Sequence, residues 1–253
     1  MAVCPVNSKA AEYSAALLDV LPWAVNAEPS NIRYLRPVLY YAFSAYPTIE
    51  NKYSPFERNG GMLFFKKNHS RKGCFPMELL VIESSPHKHG SSNLLAEEFI
   101  GGAEEAGHTV RVFDAARADL HPCLACGACG MDGPCVQKDG MARLREAILA
   151  ADMAVFVTPL YYFGMSAQLK TVIDRFYSFN GALSAKGLKT ALIAAAWDSS
   201  DWAMRDLEAH YKTLCRYLNF QDQGMILGTG CGTVSMTRNS KFPRLARELG
   251  NSL

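Results

Sequence analysis

Four of the eight cysteines crowd into thirteen residues: Cys123, Cys126, Cys129 and Cys135. The intervals between them are two, two and five residues, and glycines among them ease the backbone into a compact arc. Thiolates are soft ligands, so four of them on one loop suit a [4Fe–4S] cluster or zinc. A loop that binds no metal is the third alternative, and the spacing leaves all three open.

A second segment is suited to an anion. The stretch Ser84–Asn93 is rich in small hydroxyl residues and leads directly into a predicted helix. Unpaired N–H groups and the dipole at a helix start favour a phosphate, and His87 or Lys88 could add positive charge. The simpler alternative is that Ser91 or Ser92 caps the helix. The segment contains neither the dinucleotide glycine motif nor the phosphate loop of nucleotide hydrolases.

A third segment, Thr158–Ser166, is suited to a flat ring. Pro159 is predicted to fix a turn, and Tyr161, Tyr162 and Phe163 follow. Aromatic faces and backbone amides at a sheet edge offer stacking surface and donors to a heteroaromatic ring. The alternative is that these aromatic side chains only pack in the core.

Alternating strands and helices position these three segments. Short apolar runs predict strands at Leu79–Ile82, Thr109–Phe113, Met153–Val157, Lys189–Ala195 and Gly224–Leu227. Helical patterns lie between and after them, at Ser92–Gly107, Met141–Ala150, Gln168–Phe179, Trp202–Leu218 and Arg244–Leu249. The alternation predicts an α/β fold, a flavodoxin-like three-layer sandwich whose five-stranded parallel sheet has the order 2-1-3-4-5. Ligands bind beyond the carboxyl ends of such strands, so the loops after strands one and three carry the expected site.

The sequence divides near residue 77. Residues 77–253 hold the predicted flavodoxin-like domain, whereas residues 1–76 show no motif and carry nine Lys/Arg against five Asp/Glu. The extension is expected to be poorly ordered, or to result from a start codon assigned too far upstream. The alternative is an accessory or partner-binding domain.

Bulk properties exclude several classes of protein. The net charge of +2 is too small to suggest a nucleic-acid partner, and no apolar run is long enough for a membrane span. Charged residues within Met1–Val25 interrupt any signal-peptide core, so the cytoplasm is the expected compartment. Structural disulfides are uncommon there, which favours a metal or redox role for the clustered cysteines. The remaining four, Cys4, Cys74, Cys215 and Cys231, are interpreted as structural or inert. For Cys231 the alternative is a place at a ligand site, because it lies beyond the fifth strand.

These segments resemble one known family. Leu79–Asn93 resembles the phosphate-binding entry of the NADPH-dependent FMN reductase-like flavoproteins, and Thr158–Lys170, continuing to Ile173–Phe176, is similar to that family's flavin-ring loop and following helix. The cysteine loop resembles that of the iron–sulfur flavoprotein branch. The likeness extends from Met77 to about Gly230.

The resemblance implies an FMN site. It assigns the phosphate to Ser85, His87, Ser91, Ser92 and Asn93, and the isoalloxazine ring to Thr158, Pro159, Leu160, Tyr161, Tyr162, Phe163 and Gly164. It also implies a [4Fe–4S] cluster on the four cysteines. The family usually has arginine where this chain has His87, so weaker or more pH-dependent FMN binding is expected. The loop Ala196–Asp198 is also expected to approach the flavin.

The function implied is an FMN-dependent NAD(P)H oxidoreductase that passes electrons to a quinone, a small electrophile or a redox partner. The chemistry belongs to the cofactor, so no side-chain acid, base or nucleophile is assigned. The alternatives are an iron–sulfur flavoprotein that carries electrons between proteins and a zinc-stabilised flavin-binding regulator. The family also implies a homo-oligomer, a dimer or a tetramer.

Overall fold

The computed structural model describes residues 75–253. The predicted extension, residues 1–76, lies outside the described residues except for Phe75 and Pro76, and so do Cys4 and Cys74. The division of the chain near residue 77 therefore stays a prediction.

Strands and helices alternate through the described residues. The strands are β1 (Glu78–Glu83), β2 (Thr109–Asp114), β3 (Met153–Tyr161), β4 (Gly164–Met165), β5 (Lys189–Ala195) and β6 (Gln221–Gly228). The α-helices are α1 (Ser91–Glu105), α2 (Met141–Ala150), α3 (Ala167–Arg175), α4 (Asn180–Lys186), α5 (Arg205–Tyr217), α6 (Val234–Arg238) and α7 (Phe242–Asn251), with a 3₁₀ turn at Phe176–Phe179.

The sheet has the predicted topology. Its order is β2-β1-β3-β5-β6, and every neighbouring pair along this path is parallel. The short β4 pairs antiparallel with the end of β3. Counted without β4, the strands have the flavodoxin-like order 2-1-3-4-5, so the predicted fold class is confirmed.

Two hydrophobic clusters lie on opposite faces of this sheet. Successive residues of a strand point to opposite faces, so Phe156 belongs to the cluster under α2, α3 and α5, whereas Val155 belongs to the cluster under α1 and α7. The central strands β1, β3 and β5 are apolar on both faces, as expected of parallel strands covered by helices. Three layers result, with the ends of the strands left free for a ligand.

A very close helix contact fixes α1 against α7. A Cβ added at Gly250 would lie 2.2 Å from the carbonyl oxygen of Phe99, and one added at Gly102 would lie 2.1 Å from that of Arg247. Arg247 also donates hydrogen bonds to Glu98 and Glu105 on α1. Only glycine permits this separation of the two backbones, and α1 is thereby held at the angle at which its first turn faces the sheet edge.

Strand β3 is longer than predicted. The sequence places a loop from Thr158 onward with Pro159 fixing a turn, but β3 continues to Tyr161 and Pro159 pairs with Ala195 of β5. That prediction was wrong because proline, which lacks an N–H, interrupts an apparent strand pattern, yet is tolerated at strand positions where no donor is needed. The chain then turns back through β4, so the segment is a hairpin.

Two helix boundaries also differ from the prediction. The helix predicted over Gln168–Phe179 ends at Arg175, passes into a 3₁₀ turn and resumes as α4. The helix predicted from Trp202 begins at Arg205. Short 3₁₀ turns are common at helix ends and have no clear sequence signature, which explains the first difference.

Candidate functional site

An open cavity of about 530 Å³ lies beyond the carboxyl ends of β1, β3, β5 and β6. It sits at the point where the winding of the sheet reverses, between β1 and β3, as the topology predicts. The loops after β1, β5 and β6 line it, together with the last residues of β3 itself. Its lining residues are Ser85, His87, His89, Gly90, Ser91, Ser92, Pro159, Leu160, Tyr161, Ala195, Trp197, Cys231, Gly232, Thr233 and Val234.

The wall formed by the loop after β1 and the start of α1 is suited to an anion. Helix α1 begins after Gly90, and no side chain caps its first turn, which contains no acidic residue. The alternative prediction that Ser91 or Ser92 caps the helix is therefore wrong. Two serine hydroxyls and the first N–H groups of a 15-residue helix face one end of the cavity, and His87 and His89 lie beside them. Helix dipole and N–H donors together favour a negatively charged group here.

Buried hydroxyls join the start of the loop after β1 to strand β3 and to Ser166, the residue that precedes α3. Both the N–H and the Oγ of Ser84 donate to the carbonyl oxygen of Val157, at 3.1 and 2.7 Å. Ser166 donates to Ser84 Oγ (2.9 Å), and its own N–H donates to Thr158 Oγ1 (2.9 Å). These residues are fully or almost fully buried, and buried polar groups that are paired in this way rigidify the backbone that carries them.

Seven of the twelve predicted FMN residues line the cavity: Ser85, His87, Ser91, Ser92, Pro159, Leu160 and Tyr161. Asn93 and Thr158 lie behind its walls. The amide of Asn93 donates to Glu83 Oε2 (3.0 Å) and to the carbonyl oxygen of Lys88 (3.2 Å), so it shapes the loop from below. Burial, followed by repulsion from Asp114, raises the pKa of Glu83.

The other three predicted residues, Tyr162, Phe163 and Gly164, form the turn and return strand of the hairpin. Tyr162 and Phe163 both have positive φ, 46° and 63°, as the two central residues of a type I′ turn do. Tyr162 is fully exposed, whereas the ring of Phe163 packs against Trp202 with 5.1 Å between centroids. The hairpin thus projects beyond the cavity.

The residues that sequence reasoning missed come mainly from the loop after β6. Gly232 allows Trp197 to lie flat against its backbone, because a Cβ there would be 2.3 Å from the indole ring. Trp197 belongs to the loop that was expected to approach the flavin, and it lines the cavity. Cys231, interpreted as structural or inert, is buried but also lines the cavity. In the sequence, the only signal for these residues is that they follow the carboxyl end of a predicted strand.

The two ends of the cysteine loop meet near His121 and Asp139, which we call the loop neck, and a buried ion pair closes it. Arg175 at the end of α3 donates to both carboxylate oxygens of Asp139, at 2.6 and 3.0 Å, and to the carbonyl oxygen of His121 at 2.7 Å. Asp139 also accepts from the N–H groups of His121 and Met141. Burial alone would raise the pKa of Asp139, but the hydrogen bonds from Arg175 and these two N–H groups lower it to about 2.

The four cysteines of the loop line one cavity of about 340 Å³, together with Arg175 and the residues that follow it. Cys123 and Cys126 are exposed, and Cys129 and Cys135 are partly buried. Within the described part of the chain, no group of three or more His, Cys, Asp or Glu side chains is already arranged as a metal site. Four positive-φ residues, Ala125, Gly127, Gly130 and Met131, shape the loop around the cavity.

The donor set of this second cavity fits an anionic metal–sulfur group. Four soft thiols surround one space, which is the ligand chemistry of a [4Fe–4S] cluster. Arg175, 2% exposed, lines the same space, and its Nε has no hydrogen-bond partner. Burial would lower the pKa of Arg175, but Asp139, and after it the Cys135 thiol, raise it.

The topology and the cavity at its switch point define a flavodoxin-like protein. The chain belongs to the NADPH-dependent FMN reductase family, whose profile matches residues 77–226. The family predicted from the sequence is therefore confirmed.

Relatives with known names come from both branches that the sequence resembles. An iron-sulfur flavoprotein of Archaeoglobus fulgidus is 30% identical over 111 residues, 44% of this chain and 50% of the relative. An FMN-dependent NADH:quinone oxidoreductase of Shewanella is 33% identical over 106 residues, 38% of this chain and 54% of the relative. The chain thus spans about half the length of these relatives.

Solved structures agree on the fold. An NAD(P)H:quinone oxidoreductase from Methanothermobacter marburgensis superposes with a TM-score of 0.58 at 19% identity, covering 70% of this chain and 96% of that one. An FMN-dependent NADH-azoreductase from Bacillus anthracis gives 0.55 at 14% identity, covering 69% and 98%. Among residues 75–253, no helix has the length and apolar character needed to cross a membrane.

Proposed function

We propose that the protein is an FMN-dependent NAD(P)H oxidoreductase that passes electrons to a quinone, a small electrophile or a redox partner. The observation that carries the proposal is the cavity of about 530 Å³ that joins the uncapped start of α1 to aromatic walls at the ends of β3 and β5. One end suits a phosphate and the other a flat ring, and membership of the FMN reductase family supports this assignment.

In this proposal the chain's own residues bind the FMN and set its orientation. Ser85, Ser91 and Ser92 would hold the phosphate through their hydroxyls, and the first N–H groups of α1 would add donors and a favourable dipole. Tyr161 and Trp197 supply aromatic surface for the ring. When bound, FMN supplies the hydride and electron transfer, so the protein needs no acid or base of its own.

FMN titration of the apoprotein, followed by flavin fluorescence, tests the site. Gly232→Ala displaces the indole of Trp197 and is expected to weaken FMN binding about tenfold or more. Ser235→Ala, on the exposed side of α6, is the matched control and is expected to leave binding unchanged. Bleaching of the flavin absorption by NADPH or NADH then tests the reductase activity. Failure of the wild-type chain to bind FMN would overturn the proposal.

We propose further that the cysteine loop holds a [4Fe–4S] cluster, in the role of an iron–sulfur flavoprotein that relays electrons to another protein. The supporting observation is the single cavity shared by four thiols and a buried guanidinium. Iron and sulfide analysis of protein purified without oxygen is expected to give about four irons per chain. Zinc instead of iron would favour a metal-stabilised flavin-binding regulator, and no metal would leave the simple reductase.

We propose a cytoplasmic homo-oligomer, a dimer or a tetramer. Two tryptophan side chains are exposed, Trp197 at the cavity and Trp202 against Phe163 of the hairpin, and exposed apolar patches mark interaction sites. Light scattering on the purified protein measures its mass directly. A monomer at micromolar concentration would contradict the oligomer.

A further inference from the structure

Arg175 has one donor that its structural role does not use. Its two terminal nitrogens bind Asp139 and the carbonyl oxygen of His121 and so close the loop neck. Its Nε–H is buried and has no acceptor. A buried donor left unpaired is unfavourable, so an acceptor stronger than a neutral thiol beside this nitrogen would be stabilising.

Cys135 is the group placed to become that acceptor. It lines the same cavity as Arg175 and lies near enough to influence the guanidinium electrostatically. A neutral thiol is a weak acceptor. A thiolate bound to iron carries negative charge and accepts an N–H bond well. The unpaired donor would therefore be satisfied when the loop is loaded.

We propose that Arg175 tunes the cluster assigned to this loop: its Nε–H donates to the Cys135 sulfur and raises the cluster's reduction potential. The inference rests on the cluster proposed above. Reduction adds negative charge to the cluster, and a hydrogen-bond donor to a ligand sulfur stabilises the reduced form more than the oxidised form. Asp139 balances the charge of the guanidinium, so the effect comes mainly from the directed N–H donor.

The sharpest variant is Arg175→Lys. Lysine keeps the positive charge and can keep an ion pair with Asp139, but a methylene stands where arginine has its Nε–H. We expect the equilibrium between oxidised and reduced cluster to shift about tenfold towards the oxidised form, a fall of ~59 mV for a one-electron couple. Asp139→Asn should shift the equilibrium the opposite way, because it leaves the positive charge of Arg175 unbalanced beside the cluster.

The measurement is a redox titration of the cluster, followed by electron paramagnetic resonance, on anaerobically reconstituted protein. Asp119→Asn, which makes the same charge change on an exposed side chain of the loop neck, is the control and should leave the potential unchanged. If Arg175→Lys does not fold, the double variant Arg175→Met with Asp139→Asn removes the buried pair as a neutral unit and places a methyl group where arginine has its Nε–H. It should show the same fall.

Opposite shifts for Arg175→Lys and Asp139→Asn support the proposal, because a purely structural role would not give changes of opposite sign. Iron content equal to wild type with an unchanged potential in Arg175→Lys, or in the double variant, overturns it. In that case the cluster proposal stands. A wild-type chain that takes up no iron overturns the cluster proposal and this inference together, so the two failures are distinguishable.

Discussion

Replacing Tyr162 by asparagine is expected to stabilise the protein. Tyr162 is the first residue of the hairpin turn, with φ of 46°, and its side chain is fully exposed. The left-handed conformation costs an ordinary L-residue roughly 1–2 kcal/mol. Asparagine adopts it more readily because its short polar side chain can hydrogen-bond locally.

The expected gain is about 1 kcal/mol in the free energy of unfolding. The exposed ring of Tyr162 contributes little burial, so almost nothing offsets the relief of backbone strain. For a folded unit of this size, a gain of about 1 kcal/mol raises Tm by about 2–4 °C. Calorimetry or thermal unfolding of the apoprotein measures both quantities.

Phe163→Asn is the matched control, because Phe163 shares the strained conformation, with φ of 63°, but packs on Trp202. Losing that aromatic contact costs about 0.5–1.5 kcal/mol, which cancels the backbone gain. We therefore expect Phe163→Asn to be neutral or destabilising. If Tyr162→Asn lowers Tm, the description of the turn as strained is refuted. If both variants raise Tm equally, the contribution assigned to the contact between Phe163 and Trp202 is refuted instead.

Gly250→Ala is expected to cost about 1–3 kcal/mol of stability, since its Cβ would collide with the carbonyl oxygen of Phe99; an unchanged melting curve would contradict the close contact. Burial lowers the pKa of His108. The neutral form of His108 therefore stabilises the fold fully above the ordinary pKa of histidine, and this stabilisation is lost as the pH falls below that value. Urea unfolding at pH 7.5 and 5.5 should show this loss in the wild type and less of it in His108→Gln. The pKa of Asp139 is lowered from 3.8 to about 2, so about 2 kcal/mol should disappear as pH falls from 4 to 2, a drop absent from Asp139→Asn.

The sequence predicted best the strands that are buried on both faces of the sheet. Strands β1, β3 and β5 are apolar on both faces, so their runs are continuous, and the predicted bounds of Lys189–Ala195 match β5. The position of the segment Ser84–Asn93 at the cavity was also predictable, because it follows the carboxyl end of β1, and Ser85, Ser91 and Ser92 do line the cavity. Local composition was enough for these features.

Features that depend on contacts between distant residues could not be predicted. Arg175 and Asp139 are 36 positions apart, and nothing in either neighbourhood shows that they meet. The wall formed by Cys231–Val234 carries no motif, and only its position after β6 brings it to the cavity. The backbone of His121 also helps to close the neck, donating to Asp139 and accepting from Arg175, and a backbone role of this kind leaves no signal in the residue type.

The cysteine loop leaves and re-enters the fold at almost the same point. The N–H of Gly140 donates to the carbonyl oxygen of Asp119 at 2.7 Å, so the ends of the intervening segment are already joined. A segment with adjoining ends can be shortened or exchanged with little loss to the sheet it leaves. Such a loop can be exchanged as a unit under two conditions. Arg175 must be replaced when Asp139 is removed, because otherwise a buried charge would lose its counterion. The new loop must also supply an acceptor in place of Asp132, which accepts from the N–H groups of Gly181 and Ala182 at the start of α4.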